Sequence, residues 1–478
     1  MNQLTFSRFK IIFLLLPFLI LGGWLIFQSQ SITTWDQGDY GRVLSSILSG
    51  PADGKEYRHW EKPTMEWAFK DPIDSIWQVN NFAEVYFNLH ANFQKMFRST
   101  FSLPLLSLIS KLVSLFLLAL LARSISRTIG WKFSGACIVW VMLTGAFFMA
   151  HNIYLLSSFY QEHIFWLGLP LLLSGIVGDS SRRNTIFMIA GAAICGLSKH
   201  QFFYIPTLVL IWCGIWSYFQ RLSMSRLLVL GLVIVQVQCL ITLANNNPLK
   251  SQYYYHAAYY GSYVLASPKL LTRLNVPSAT LRCIGSDRWG VILAGKNGDD
   301  EGSVIQDCYD QVQLTANDIL LPYLLEPSLL WHMWRFSKAA LWTAHPFHNI
   351  RTLPYVITPE GLNQPFPVNQ KLLILSDLRE HYLTQRVEIV SILSLFISCF
   401  MIYRRTLGKL PFLILFLLCL LWSQIAIALI GEGFRDLGKH FAAAQLSYDF
   451  LFVVLFIAIV AYCRQKVLSR FKNKYGTT

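Results

Sequence analysis

The sequence predicts an all-α polytopic membrane protein with about ten transmembrane helices. Of its 478 residues, 54% are hydrophobic and only 14% are charged, whereas a soluble protein carries about 25% charged residues. The apolar residues are concentrated in ten runs, and the basic residues lie in short clusters between them. The formal net charge of +14 therefore indicates membrane orientation and gives no support to a nucleic-acid partner.

The predicted spans form two blocks, seven before a long polar segment and three after it. They are Ile11–Phe27, Leu103–Ala122, Phe133–Ala150, Ile164–Val177, Thr185–Leu197, Phe202–Phe219, Leu227–Ala244, Val387–Tyr403, Leu410–Ile430 and Phe450–Cys463. Several are shorter than the roughly 20 residues that a bilayer requires, so we expect their ends to extend into polar neighbours. This order divides the chain into a seven-span module (1–244), an outer loop domain (245–386) and a three-span module (387–478).

The basic clusters also predict the orientation of the chain. They fall in alternate short connections, which together contain one acidic residue, Asp179. Short connections rich in Lys and Arg lie on the cytoplasmic side of a membrane, so both termini are predicted to be cytoplasmic. The long connections 28–102 and 245–386 then lie outside. Because the cytoplasmic hairpins have no room for a nucleotide-binding domain, chemistry is expected on the extracytoplasmic face.

Two carboxylates and one guanidinium, those of Asp36, Asp39 and Arg42, follow the first predicted span closely. Apolar residues at helical spacing come next and predict a short amphipathic helix, which ends at the breaker run 49–54. A carboxylate in this position could face both water and a lipid headgroup and act as a base. The alternative is that Asp36 and Asp39 only cap the helix.

Three further polar groups interrupt the ends of predicted spans at the outer face. They contain Tyr160 and Glu162; Lys199, His200 and Gln201; and Glu432, Arg435, Lys439 and His440. Charged side chains at the rim of a span are costly and mark functional sites, although each group alone could be a solvated turn. Carboxylates serve as general bases, and Lys, Arg and His suit a phosphate. With the two aspartates, these groups predict an outward cleft for transfer from a lipid phosphate. Lys111, inside the second span, is expected to extend to the outer surface.

The two outer loops are predicted to contain interfacial helices and a disulfide. Aromatic and apolar stripes in residues 82–97 and 320–334 are expected to lie along the membrane surface. Cys283 and Cys308 are the two cysteines of these loops, and an extracytoplasmic compartment is oxidising, so we predict that they form a disulfide. Two free thiols are the alternative, and the spacing shows no zinc-binding pattern.

Several short motifs carry a resemblance to a known superfamily. They are Gly38-Asp39-Tyr40-x-Arg42, Ser158-Phe159-Tyr160-x-Glu162, Ser198-Lys199-x-Gln201, the run from Glu432 through Lys439-His440 to Asp449, and residues 253–277. With an aspartate in the first outer loop and seven spans before a long outer loop, the chain resembles the GT-C superfamily. These proteins are integral membrane glycosyltransferases that use polyprenyl-phosphate sugars, and the motifs are similar to those of bacterial glycan-assembly hexose transferases.

The resemblance implies a GT-C-like fold in the bacterial inner (plasma) membrane, with an extracytoplasmic active site. It maps the superfamily's catalytic aspartate to Asp39, with Asp36 as a rival and Glu162 as a further catalytic candidate. The implied reaction is an inverting single displacement, in which Asp39 takes the proton of the acceptor hydroxyl and the polyprenyl phosphate departs. Because phosphate is a good leaving group, no general acid is needed, unlike in the hydrolysis of a plain glycoside.

The substrate-binding residues are expected to surround the departing phosphate. The candidates are Arg42, Lys199 and His440, followed by Tyr160, His200, Gln201, Glu432, Arg435 and Lys439. The expected partners are a polyprenyl-phosphate-linked sugar donor, a glycan or lipid-linked acceptor and membrane lipids. No cofactor is certain, and a divalent cation is left open. Two alternative functions remain at this point: a polysaccharide polymerase or ligase, and a transporter or flippase for lipid-linked glycans.

Overall fold

The computed structural model describes residues 41–54, 66–73, 81–221, 224–245, 250–290, 307–338, 386–435 and 437–475, with Gly23, Ile305 and Arg379 as single positions. The first outer segment combines two helices with a small antiparallel sheet. Its elements are α1 (Gly41–Ile47), β1 (Leu48–Pro51), β2 (Glu66–Phe69), α2 (Phe82–Lys95) and β3 (Thr100–Ser102). The strands pair in the order β1-β2-β3, so the prediction of a wholly α-helical protein was wrong for this segment.

The sheet forms where the breaker run stops helix α1. Gly50 and Gly54 both have positive φ, which glycine adopts without a steric penalty, and the chain leaves the helix in extended form. Leu44 and Ile47 of α1 are buried in the main core, so the predicted amphipathic helix packs on the rest of the protein. Helix α2 buries Phe87 but exposes an apolar edge at Leu89 and Phe93, which is the surface expected to meet the membrane.

The first membrane block consists of seven helices and one 3-10 turn. These are α3 (Leu103–Thr128), α4 (Phe133–Phe147), α5 (Ala150–Leu156), α6 (Glu162–Val177), α7 (Arg182–Gly196), the turn His200–Phe202, α8 (Ile205–Gln220) and α9 (Arg226–Asn245). Helix α6 is buried along its whole length and packs against both α3 and α7. Most of the large apolar side chains of α9 are exposed, as expected for a helix that faces lipid.

The second membrane block consists of α15 (Val387–Tyr403), α16 (Leu410–Glu432), α17 (Leu437–His440) and α18 (Ala442–Tyr475). The helices between α9 and α15 belong to the second predicted outer segment and are described below. Helix α18 packs against α16 and also against α4 of the first block. One hydrophobic core runs from Leu44 to Ala461. The two predicted membrane modules therefore share a core.

Five described helical segments are long and apolar enough to cross a membrane: Leu103–Thr128, His200–Phe219, Arg226–Ala244, Leu410–Glu432 and Ala442–Ser469. Shorter apolar helices cover Phe133–Phe147, Glu162–Val177 and Val387–Tyr403. Helix α7 coincides with the predicted span 185–197, and a turn separates it from α8, so these are two helices. The first predicted span lies outside the described residues, and the total of ten spans stays a prediction.

The second outer segment is a compact body attached to the end of α16. It contains α10 (Lys250–Ala257), a π-helical turn (Ala258–Ser262), α11 (Tyr263–Leu265), α12 (Pro268–Arg273), a 3-10 turn (Ser278–Cys283), α13 (Ala316–Leu325) and α14 (Ser328–Ser337). Stacked tyrosines and the Cys283–Cys308 disulfide form its core. The structure thus contains the predicted disulfide.

Two glycines join this outer body to the membrane bundle. A side chain on Gly433 would come within 2.7 Å of the Gly261 Cα and 2.6 Å of the His256 carbonyl oxygen, and Gly433 has a φ of +61°. The Phe434 amide beside it donates a hydrogen bond to the Tyr260 carbonyl at 2.9 Å. The contact is therefore between two backbones, at positions where only glycine fits.

Lys111 lies inside the bundle, and the expectation that it reaches the outer surface was wrong. Its side chain is fully buried in α3. The neighbouring Ser110 hydroxyl lies 2.7 Å from the Tyr86 hydroxyl of α2 and 2.8 Å from Nε2 of His163 in α6. Polar contacts thus connect α2 through Ser110 to the buried start of α6.

Candidate functional site

The buried ion pair between Glu162 and Lys199 is the centre of the candidate site. Glu162 is in the first turn of α6, where the helix dipole favours a carboxylate. Lys199 has extended backbone between α7 and the His200–Phe202 turn, which directs its side chain across to α6. Its Nζ donates to Glu162 Oε1 at 2.5 Å, with the two side chains 9% and 1% exposed. A buried pair of this kind holds both charges in place, because either one alone would be costly.

His440 completes the cluster from the far end of the chain. Its Nδ1 lies 3.5 Å from Lys199 Nζ and 2.9 Å from Gln201 Oε1. The amide nitrogen of Gln201 also donates to the His440 carbonyl at 3.5 Å, as does the amide of Gln424 in α16. The Lys199 ammonium and the Gln201 amide oxygen thus both contact the same ring nitrogen of His440.

Lys439 approaches the same cluster from the side of Tyr160. Its Nζ lies 5.4 Å from the centre of the Tyr160 ring, within cation–π range. Both side chains are buried. Lys439 and His440 therefore each contact another predicted polar group: Lys439 contacts Tyr160, and His440 contacts Lys199 and Gln201.

A pocket adjoins Lys199 on the side of α9. Its roughly 270 Å³ includes space open to the surroundings, and the enclosed part is small. His200 lines it together with Asn81 at the start of α2, and the remaining lining residues are Gln161, Gly196, Leu197, Lys199, Phe203, Cys239 and Thr242. Cys239 and Thr242 belong to α9, whose neighbouring residues Leu240 and Ile241 are exposed. The pocket therefore lies between the charged cluster and a lipid-facing helix.

Glu432 and Arg435 face the second outer segment. Arg435 donates to the buried Asp287 carboxylate at 2.5 Å, and Glu432 Oε2 lies 3.6 Å from Nδ1 of His256. We expected both residues to bind substrate beside Lys439 and His440. These two contacts are instead with the outer body, because Gly433 turns the chain sharply between α16 and α17.

The first predicted polar group is only partly covered by the structure. Asp36 and Asp39 lie outside the described residues. Arg42 is within α1, and only its backbone is described. Their assignment as catalytic and phosphate-binding residues stays a prediction. Asp39 precedes the first residue of α1 by two positions, and α1 packs against α2.

Two buried polar contacts were not expected from the sequence. Asp449 in α18 accepts a hydrogen bond from Arg379 at 2.6 Å, with both side chains almost fully buried. Gln424 in the middle of an apolar helix accepts a hydrogen bond from the Tyr204 hydroxyl at 3.1 Å. A lone Gln within a span signals a polar partner. Across the described residues, no three His, Cys, Asp or Glu side chains are grouped so that they could hold a metal ion.

These features define a polytopic membrane protein in which polar side chains from three distant segments meet at one end of a helical bundle. The chain belongs to the family of the YfdI N-terminal transmembrane domain, whose family model matches residues 3–477. It is similar to "Uncharacterized protein YfdI" of Escherichia coli (strain K12), with 21% identity over 457 residues, which cover 92% of this chain and 94% of the relative. No solved structure matches the chain. The family match extends over both predicted membrane blocks and the outer segment between them.

Proposed function

We propose that this protein is a membrane glycosyltransferase that moves a sugar from a polyprenyl-phosphate donor to an acceptor hydroxyl on the extracytoplasmic face. The observation that carries the proposal is the meeting of Glu162, Lys199 and His440, with 2.5 Å and 3.5 Å contacts at the Lys199 ammonium. A lipid phosphate at the membrane rim is partly desolvated and needs N–H donors and positive charge around it. This cluster offers both, and we propose that it lies at the level of the lipid headgroups.

The pocket beside Lys199 supports a lipid-linked donor. Its lining includes Cys239 and Thr242 of α9, the helix whose apolar side chains are largely exposed. We infer that the hydrocarbon chain of the donor lies along α9 and that its phosphate enters the pocket toward Lys199. A lysine ammonium has three N–H donors, so one can hold Glu162 while another meets the phosphate.

Glu162 then acts as a positioning residue in this proposal. Its carboxylate is almost fully buried and bonded to Lys199, an arrangement that suits it to fix the ammonium and not to take a proton from an acceptor. Asp39 remains the proposed base, on the strength of the resemblance to GT-C enzymes. Leu44 and Ile47 of α1 are buried in the main core, so α1 is held against the helical bundle that contains Lys199. Asp39 is two residues before the start of α1.

The proposed reaction is one displacement at the anomeric carbon. The acceptor oxygen bonds to that carbon while its proton passes to Asp39, and the carbon–oxygen bond to the phosphate breaks with its electron pair staying on the phosphate. Negative charge grows on the departing phosphate, so fixed cations nearby stabilise the transition state more than the ground state.

The test uses the purified full chain in lipid nanodiscs with a polyprenyl-phosphate donor that carries a radiolabelled sugar. The expected result is transfer of the label to a hydroxyl acceptor, with release of polyprenyl phosphate. A polymerase or ligase would instead join preassembled lipid-linked glycans. A transporter in sealed vesicles would move the donor across the bilayer and leave its sugar–phosphate bond intact, which would refute the proposal.

A further inference from the structure

An exposed tryptophan stands on the outer body next to the segment that holds Lys439 and His440. Trp289 is 54% exposed, although one face of its indole is covered by the Arg435 guanidinium at 4.9 Å from the ring centre. The His256 ring lies 5.9 Å away at a tilt of 41°. These groups cover part of the indole, and about half of the side chain remains exposed.

Hydrogen bonds, an ion pair and a close backbone contact hold the turn of residues 287–290 that contains Trp289. Asp287 is buried, and its Oδ1 accepts a hydrogen bond from the Trp289 amide at 2.9 Å, while its carbonyl accepts one from the Gly290 amide at 2.9 Å. Its other carboxylate oxygen holds Arg435. A side chain on Gly290 would come within 2.1 Å of the Ile305 carbonyl oxygen, so the Ile305 backbone packs tightly against the turn. Trp289 is thus held in one orientation.

Arg288, next to Trp289 in the chain, is joined to a polar side chain of α10. Arg288, the neighbouring exposed residue, donates to Gln252 at 2.5 Å and lies over the Tyr309 ring at 5.0 Å. The Glu432 carboxylate approaches from the far side of His256 and is partly exposed. An exposed indole in a segment that also presents a guanidinium and an amide is complementary to a sugar ring, whose C–H face is apolar and whose rim carries hydroxyls.

We propose that Trp289, with Arg288 and Gln252, forms a binding subsite for a sugar ring of the acceptor glycan. This inference rests on the proposed function. Only four residues separate Arg435 from His440, so the Cα atoms of these two residues are at most about 18 Å apart. A glycan of a few sugar units could therefore contact Trp289 while its reacting hydroxyl is at the Lys199–His440 cluster.

The binding test needs no donor, so it is independent of sugar transfer. Full-length protein in nanodiscs would be titrated with a panel of fluorescently labelled neutral and acidic oligosaccharides, and binding would be followed by fluorescence polarisation. We expect Trp289→Ala to weaken the binding of at least one oligosaccharide by about 10- to 100-fold and Trp289→Phe to retain most of it. Trp331→Ala, at a tryptophan that is 48% exposed on α14, is the matched control and should bind as the parent protein does.

Three results would overturn this subsite. The parent protein could bind no oligosaccharide of the panel, the two alanine variants could bind equally well, or Trp289 could prove to be a membrane anchor. An anchor would show a blue-shifted difference spectrum between the parent protein and Trp289→Phe in nanodiscs relative to detergent-free amphipol, with no response to oligosaccharide. If Trp289-dependent binding is found but no sugar transfer occurs, the subsite stands and the proposed transferase function fails.

Discussion

The Lys199 ammonium lies 3.5 Å from Nδ1 of His440, although the two residues are 241 positions apart in the sequence. Lys199 follows α7 of the first membrane block, and His440 precedes α18, the last helix of the second block. The contact therefore forms only when the two blocks have packed together. It makes the candidate site a product of the complete bundle, and neither predicted membrane module contains it alone.

The first prediction separates the structural role of Lys199 from its proposed chemical role. Lys199→Gln should lower kcat and kcat/KM together by about 10²–10³-fold, because the charge that it stabilises grows in the transition state. It also leaves Glu162 buried without its ammonium, which typically costs about 3–5 kcal/mol. The double variant Glu162→Gln/Lys199→Gln should regain thermal stability but not activity.

Label transfer and thermal unfolding of the purified variants would be measured side by side. Lys132→Gln, at an exposed position before α4, is the control for a lysine that contacts only ordinary lipids. If the double variant recovers turnover together with stability, Lys199 serves the fold alone and the phosphate site is wrong.

The second prediction concerns the base. Asp39→Asn keeps the size of the side chain and its capping ability but removes its capacity to accept a proton, so turnover should fall by roughly 10²–10⁴-fold with unchanged expression. Asp36→Asn is the matched variant and should retain most of the activity. The reverse pattern would assign the base to Asp36, and loss of folded protein in both would favour helix capping.

The third prediction concerns the disulfide of the outer body. Cys283 and Cys308 are 25 residues apart, and closing a loop of that length stabilises a fold by roughly 3 kcal/mol. Cys283→Ser/Cys308→Ser should therefore lower the unfolding temperature, and reductant should lower that of the parent protein by a similar amount. Cys399→Ser, at an exposed free cysteine, should have little effect. Alkylation of both thiols in untreated protein would contradict the bond.

The fourth prediction follows from the buried imidazole of His90 in α2. Burial lowers the pKa of His90 from 6.5 to about 4, so the unfolded chain binds a proton that the folded chain does not. Stability should fall by on the order of 3 kcal/mol as the pH drops from about 6.5 to about 4. Melting curves of His90→Phe should show a smaller loss over this window, whereas those of the exposed His332→Gln should match the parent. Identical pH profiles for all three would refute the assignment.

The fifth prediction concerns the side of the membrane on which the site lies. The basic clusters predict that a reporter active only outside the cytoplasm stays silent when fused after Arg470 and becomes active when inserted near residue 298. Both fusions would be tested for expression by immunoblotting. The opposite pattern would place the Lys199 cluster on the cytoplasmic side and remove the basis for an extracytoplasmic transferase.

The sequence predicted the helices well because a local run of apolar residues is enough to identify a membrane span. It also predicted that Tyr160, Glu162, Lys199 and His440 would meet, since charged side chains at span ends have few other places to go. The partners of Arg435 were beyond this reasoning. Its carboxylate, Asp287, is 148 residues away in a loop without a periodic pattern, and such long-range pairs leave no local signal. The small sheet was missed for a related reason, because its three strands are each four residues or fewer.

The paired glycines at 261 and 433 have a consequence for how this protein can be re-engineered. A chimaera that grafts the outer body of a relative onto this bundle must carry both glycines, because one larger residue on either side would force the two backbones apart. Such a separation would also break the Phe434–Tyr260 hydrogen bond and shift the residues that lead to His440. The outer body and the second membrane block should therefore be exchanged as one cassette, with the cut placed before α10 and not after α14.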